Sequence, residues 1–345
     1  MIYKFNIIER LFLGKDILPH PLLDSLNLVI AGRALQVAVK LRIFEILRPR
    51  SMNITTISKK ARISANGALV LLDCLAAMGY VKKVDKKYGL TTRTRKFLLT
   101  SSDKRLGNIV LFSGMVFESL ANLDEFIKRG GPKLENLDVF TKEQWGVFNE
   151  AMAEIAGLDV KEVVNNLPLS AGYKKLLDLG GSHGIHSIEC CRKVPGLTAE
   201  VFDLEPTRSS AERTIRKNKM SKKVKFRSGD FLKDSLGNGY DVVLAFNVIH
   251  GLTESKNQKL AKRVFDSMNP GGIYVILDQI KEARGKSQLS QFIPATMGVM
   301  LFNQTGGRTY SFEEVEGWVK KVGFKKIEFK KLRSPGNGLI VGYKS

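Results

Sequence analysis

The chain has 345 residues, enough for more than one core, and its 43% hydrophobic and 26% charged content is that of a soluble globular protein, which excludes disordered and fibrous classes. Its net charge is +21, and its three cysteines, Cys74, Cys190 and Cys191, have neither the number of a disulfide framework nor the spacing of a zinc finger. No uncharged run approaches the roughly 18 residues of a membrane span, and Glu9, Arg10, Lys15 and Asp16 interrupt the apolar amino terminus, so neither an anchor nor a signal peptide is expected and the chain reads as cytoplasmic.

Residues 26–47 carry apolar side chains at helical spacing (Leu28, Ala31, Leu35, Ala38, Val39, Ile43, Ile46), and Pro49 closes the segment. Helical patterns follow over 54–61, led by the candidate cap Asn53, and over 65–78, stopped at Gly79. Residues 80–90 then read as a hairpin with its tip at 85–87. Helices followed by a small hairpin make a winged helix, a fold that often places one helix in the DNA major groove. Helix 65–78, however, displays Ala65, Asn66, Gly67, Ala68 and Asp73 rather than a basic cluster. The doublets Lys59-Lys60, Lys82-Lys83, Lys86-Lys87, Lys222-Lys223 and Lys325-Lys326 are dispersed along the chain, so the charge reads as solvated helix faces and nucleic acid is not the expected partner.

Residues 106–167 form a mostly helical connector broken at Gly130-Gly131-Pro132. Phe148 and Met152, with Met115, Phe117 and Ile155 behind them, are candidates for the wall of an apolar pocket, although Met and Phe at helical spacing serve equally as interhelical packing.

The segment that organises the rest is Leu176-Leu177-Asp178-Leu179-Gly180-Gly181-Ser182-His183-Gly184, an apolar strand ending in an acid and turning through glycines into a helix. Gly180, Gly181 and Gly184 permit positive φ and let backbone amides face a ligand. Ser182 and Ile185 stand where G-x-G-x-x-G would place its second and third glycines, which argues against NAD. Further apolar strands end in Phe202-Asp203-Leu204, in Gly229-Asp230-Phe231 and in Asn247 with His250. Ligands of open α/β sheets bind at such carboxyl ends, and Asp203 follows Asp178 at about the separation of a ribose-binding carboxylate. Downstream, 254–268 reads as a helix and 273–278 as a fifth strand. Residues 288–303 form a helical excursion rich in Phe and Met, including Met297 and Met300, able to cover a cleft. A helix over 312–322 stops at Gly323, and 326–332 with 338–343 form an antiparallel edge hairpin.

In order, the segment from Asp178 to Gly184, Phe202-Asp203-Leu204, Gly229-Asp230-Phe231, Asn269-Pro270-Gly271-Gly272, Gly306-Gly307-Arg308 and Val322-Gly323-Phe324 resemble the motifs of the S-adenosylmethionine-dependent small-molecule O-methyltransferases that carry an N-terminal winged-helix dimerisation domain, such as the plant phenolic, hydroxyindole and bacterial polyketide enzymes. The resemblance implies an α/β protein: a Rossmann-like class I methyltransferase domain with a mostly parallel seven-stranded sheet, preceded by a mainly helical winged-helix domain. It implies a dimerisation domain at 1–105, a helical connector contributing to the substrate pocket at 106–170, and a cofactor-binding catalytic domain at 171–345. It also implies a homodimer that uses S-adenosylmethionine and acts on a small molecule; no metal is expected, because the acids and histidines show no ligand spacing and His20, His183, His186 and His250 do not pair at i,i+4. By the same resemblance Asp178, Gly180, Gly181, Gly184, Asp203, Leu204, Gly229, Asp230, Phe231 and Asn247 correspond to the cofactor site, with Asp203 on the ribose diol and Asp230 and Phe231 at the adenine. Phe148, Met152, Met297 and Met300 are the candidates for lining the substrate pocket. His250 matches a general-base histidine, whose neutral imidazole suits removal of a hydroxyl proton, and Asp278 the carboxylate that orients it.

The chain departs from this pattern at Gly251-Leu252 after His250, at Thr309 where a second carboxylate is usual, and at Phe246 where plant members carry a lysine. The resemblance still makes O-methylation of a hydroxylated aromatic or polyketide-like molecule the expected function. Two alternatives stay open: C- or N-methylation of a small molecule or tetrapyrrole, and a winged-helix DNA-binding regulator with a cofactor-like sensor domain.

Overall fold

The computed structural model describes residues 20–132, 139–281, 288–333 and 336–345, so the stretch read for a signal peptide lies outside them. The chain divides into two compact units, Met1–Met115 and Val116–Ser345.

In the first unit α1 (His20–Lys40) and α2 (Ile43–Ile46) replace the single helix expected over 26–47, because Arg42 adopts a left-handed backbone at φ 57° between them. β1 (Met52–Asn53) leads into α3 (Ile54–Ala61), where the Asn53 side chain accepts from the Thr56 amide at 2.9 Å; Ser64 caps α4 (Ala65–Ala77) in the same way. β2 (Val81–Val84) and β3 (Lys87–Leu90) form the hairpin, with Asp85-Lys86 as its turn, so Lys87 belongs to the strand and not to the tip. α5 (Thr92–Phe97) follows. These elements close over Phe44, Leu47, Ile57, Leu72, Leu75 and Tyr88, in the order of helices and hairpin that the pattern predicts.

The connector is built of α6 (Gly107–Ser119), α7 (Leu123–Arg129), which Gly130 ends at φ 87°, and α8 (Lys142–Asn165), which opens on a Thr141–Gln144 capping box. The second unit then alternates strands and helices: β4 (Lys175–Leu179), α9 (Ile185–Lys193), β5 (Thr198–Asp203), α10 (Arg208–Lys217), β6 (Val224–Ser228), β7 (Tyr240–Phe246), α11 (Glu254–Ser267) and β8 (Met268–Lys281). α12 (Gln288–Thr305), β9 (Tyr310–Ser311), α13 (Phe312–Lys321), β10 (Lys326–Lys331) and β11 (Asn337–Tyr343) complete it. The strand order is β10-β11-β8-β7-β4-β5-β6, a seven-strand path to which β9 adds a short pairing on β8. β4 to β8 are parallel, and β11 runs antiparallel to both neighbours.

Side chains alternate across each strand. Leu176, Val201, Val242, Leu244 and Val275 pack in one layer with α8 and α9 residues, including the free thiols Cys190 and Cys191. Leu177, Phe202, Val243, Ala245 and Ile276 pack in the other with α11 and α13. Covered on both faces, the strands are continuous apolar runs, and polar groups gather at their carboxyl ends. Among the described residues no helix is long and apolar enough to cross a membrane, and no group of three potential metal ligands occurs.

Candidate active site

β4 turns into α9 through Gly180 (φ 64°), Gly181, Ser182 (φ 41°), His183 and Gly184 (φ 68°). A Cβ at Gly181 would lie 2.5 Å from the Asp178 carboxyl carbon, and one at Gly180 2.9 Å from a methyl of Val248, so both positions need glycine. Much of the turn's hydrogen bonding is internal. Gly180 N–H donates to the Phe202 carbonyl, Gly184 N–H to that of Gly181, Ile185 N–H to His183 Nδ1 and Ser182 N–H to Asp203 Oδ2. Fewer amides are left for a ligand than the glycine spacing suggests.

Asp178 stands against the turn at 1% exposure and accepts from Ser187 Oγ of α9 at 2.7 Å. Burial pushes its carboxyl up to about 7. Asp203 ends β5 with each oxygen accepting one amide, Oδ2 from Ser182 at 2.8 Å and Oδ1 from Leu204 at 2.7 Å. Burial pushes it up to about 6 against the opposite pull of those amides. Each carboxylate oxygen still has a second lone pair.

Asp203 and Ser228 are register partners across β5 and β6, so Asp230 lies at the same sheet edge. Its carboxylate accepts from Leu232 N–H at 2.9 Å and pairs with Lys233 at 3.0 Å. Gly229 is forced, because a Cβ there would meet the Phe202 ring at 2.4 Å, and the Phe231 ring lies 3.7 Å from the Cβ position of Gly180. Asn247, exposed and at φ 56°, follows β7 and donates its amide to the Leu277 carbonyl at 2.7 Å.

His250 sits on the short turn after β7, with Nδ1 2.5 Å from Asp278 Oδ1. Asp278 is fully buried, while the His250 side chain keeps 16% exposure. The chain between β7 and His250 carries Val248, which packs over Gly180, so the glycine turn and the histidine turn are neighbours. Among the expected pocket residues, Phe148 stacks edge to face on Trp145 and Phe140, at 5.7 and 6.1 Å between ring centres, and Met152, Met297 and Met300 are half-buried. Phe117 and Ile155 lie on the surface instead.

Residues 132–325 match the O-methyltransferase domain family, and residues 23–100 match the O-methyltransferase dimerisation domain. This chain belongs to the O-methyltransferase family. It is 24% identical over 320 residues, 91% of its length and 92% of the relative's, to 3-hydroxy-5-methyl-1-naphthoate 3-O-methyltransferase of Streptomyces sahachiroi. It is also 24% identical over 330 residues to L-tyrosine C(3)-methyltransferase of Streptomyces lavendulae, with 91% and 90% of the two chains covered. Human N-acetylserotonin methyltransferase, solved in complex with SAM, shares the fold at a TM-score of 0.85 and 22% identity, over 94% of this chain and 97% of that one.

Three features of this O-methyltransferase escape sequence reading. Asn149, buried in α8, donates to the Pro206 carbonyl at 3.1 Å and lies 3.5 Å from Ser182 Oγ, tying the connector to the glycine turn. Asn303, buried in α12, donates to the carbonyl and hydroxyl of Ser119, at 3.1 and 3.2 Å, and its Oδ1 has no partner among the described residues. Gly307 is visible as part of a motif, but only the fold shows why: a Cβ there would sit 2.0 Å from the His250 carbonyl oxygen. A cavity of about 370 Å³ between α8 and the far end of α9 is lined by Lys161, Val164, Asn165, Glu189, Arg192 and Lys193, none of them a residue of this cleft.

Proposed function

We propose that this O-methyltransferase methylates a hydroxyl of an aromatic or polyketide-like small molecule, with S-adenosylmethionine as donor and His250 as general base. The observation that carries the reading is the His250–Asp278 pair beside the glycine turn. Asp278 engages Nδ1, so the nitrogen left for a substrate hydroxyl is Nε2.

The residues present suit the donor. The turn at Gly180 and Gly181 has no room for side chains, which lets a ligand approach backbone directly. Asp203 keeps one lone pair per oxygen for a ribose diol, and Asp230 with Phe231 suits an adenine amino group and ring. When bound, S-adenosylmethionine supplies an electrophilic methyl carbon on a sulfonium. The protein's own part is to align and deprotonate the acceptor. Nε2 takes the hydroxyl proton as the oxygen becomes nucleophilic, and the buried Asp278 carboxylate balances the imidazolium that forms. Phe148, Met152, Met297 and Met300 offer apolar surface to the acceptor.

In this reading residues 1–105 dimerise, 106–170 contribute to the pocket and 171–345 bind the donor. The dimerisation-domain match and the exposed Leu26, Leu28, Val29, Ile30 and Val37 of α1 support a homodimer. One observation favours transfer to carbon as a second reading: the tyrosine C-methylating relative, together with Thr309 where a second carboxylate is usual. The same base serves both, since a phenolate is nucleophilic at oxygen and at its ring carbons. The test is a panel of phenols and naphthols with methyl-labelled donor, each product located by NMR. A His250→Ala variant that methylates as fast as the parent sinks the reading.

A further inference from the structure

Two basic doublets of the first unit, Lys82-Lys83 and Lys86-Lys87, lie on the hairpin of its small sheet. Between residues 48 and 96 the chain holds twelve lysines and arginines against two acids, Asp73 and Asp85. All twelve are exposed. Among the described residues Lys83 pairs with Asp73 and the other eleven form no ion pair.

Strand register sets their arrangement. The β1-β3-β2 sheet turns Met52, Val81, Tyr88 and Leu90 inward, all buried. Lys82 pairs with Gly89 and Val84 with Lys87, so Lys82, Val84 and Lys87 occupy the opposite, solvent-facing side. Ser51 fills the space over Gly89, which brings the Arg50-Ser51 backbone onto that side, and Arg95 donates to the Arg48 carbonyl at 2.9 Å, so the exposed Arg48, Arg50 and Arg95 are close to one another beside it. At the tip, Asp85 and Lys86 take φ of 47° and 60°, a primed hairpin turn in which the second position favours glycine. A lysine stands there instead, placing one more charge at the extremity despite the backbone strain.

We propose that this outer face of the wing sheet, with Arg48, Arg50, Lys82, Lys86, Lys87 and Arg95, binds the phosphate backbone of duplex nucleic acid without reading its sequence. The exposed side of α4, which base readout would use, carries Ala65, Asn66, Val70, Asp73 and Ala77, with no basic side chain. Phosphate contact needs none of these: rows of ammonium and guanidinium groups that displace counterions suffice. A membrane surface fits less well, because apolar anchoring takes Trp, Phe or Leu among the basic residues, and this face offers Val84 alone.

The test is fluorescence anisotropy of the full chain with two short labelled duplexes of unrelated sequence, across a salt series, beside vesicles containing phosphatidylserine. The expected result is equal affinity for both duplexes, falling with salt. In Lys82→Glu/Lys87→Glu binding weakens more than tenfold and the salt slope flattens by about one per lysine, while the melting temperature stays at the parent value. The charge-matched control Lys222→Glu/Lys325→Glu leaves binding near the parent level. The proposal is overturned by no duplex binding at low salt, by an equal loss in the control, or by vesicles that bind through Lys82 and Lys87 more tightly than duplex does.

Discussion

Asp278 holds His250 at two points: Oδ1 stands 2.5 Å from Nδ1, and Oδ2 accepts the His250 backbone amide at 3.2 Å. The Gln279 amide donates to Oδ1 at 2.7 Å and fixes the carboxylate in turn. His250→Ala is therefore expected to lower kcat by about 10²–10⁴, with donor affinity unchanged by calorimetry. Asp278→Asn turns an amide N–H₂ or carbonyl toward Nδ1. Where the N–H₂ faces it, the ring proton moves to Nε2 and the base is lost, a loss that raising the pH does not restore. Parent-like turnover in Asp278→Asn would remove the orienting role.

The glycine turn makes a steric prediction. A methyl group at residue 181 collides with a carboxyl that Ser187 holds in place. Gly181→Ala is expected to cost about 1–3 kcal/mol in stability and to weaken the donor at least tenfold. Ser182→Ala, which keeps the backbone and loses only the 3.5 Å contact with Asn149, should cost less than Gly181→Ala on both counts. Thermal melting and calorimetry read the two effects separately, and an undisturbed Gly181→Ala variant would show that the turn yields.

Strand ends were legible because a parallel sheet buried on both faces leaves polar residues nowhere else to go, so Asp203, Asp230 and Asn247 stand out at the ends of apolar runs. Depth was not legible. Asp178 and Asp203 look alike in sequence, yet the first accepts from the Ser187 hydroxyl of α9 while the second accepts amides from Ser182 and Leu204. The break at Arg42 gave no warning, since arginine is a good helix former and only the fold shows its left-handed backbone. Asn149 and Asn303 were missed for a related reason: an asparagine within a helical pattern reads as surface until a distant partner, Pro206 or Ser119, is placed beside it.

Asp203 predicts a pH dependence of donor binding. Burial holds its carboxyl up at about 6, so below that pH it gains a proton and one oxygen stops acting as a simple acceptor. Donor affinity should fall as pH drops through 6, and Asp203→Asn should bind weakly with no such step. Calorimetry between pH 5 and 8, with pH-independent binding by the parent, would contradict this.

The last prediction concerns the two histidines behind the turn. His183 and His186 are both buried, His186 meets the Phe246 ring edge to face at 4.9 Å, and its Nε2 has no partner among the described residues. Burial depresses His183 to about 4 and His186 to about 3, the latter with help from its neighbour. Their ordinary value is about 6.5, so as pH falls below it the unfolded chain binds protons first and stability is lost, about 2 kcal/mol for each histidine by pH 5. Asp178 and Asp203 work in the opposite direction. Their raised values, about 7 and about 6, mean that the folded state holds protons the unfolded chain has released, so their stabilisation is present at low pH and lost as pH rises through those values. In the parent the two effects partly cancel between pH 5 and 7. His186→Phe keeps an aromatic ring against Phe246, removes the unpartnered nitrogen and takes away one histidine's share. Urea unfolding at a series of pH values should show this variant at least as stable as the parent at neutral pH, and increasingly more stable toward pH 5. Parallel curves for the two proteins would mean that His186 finds a proton acceptor, or water, in the folded state.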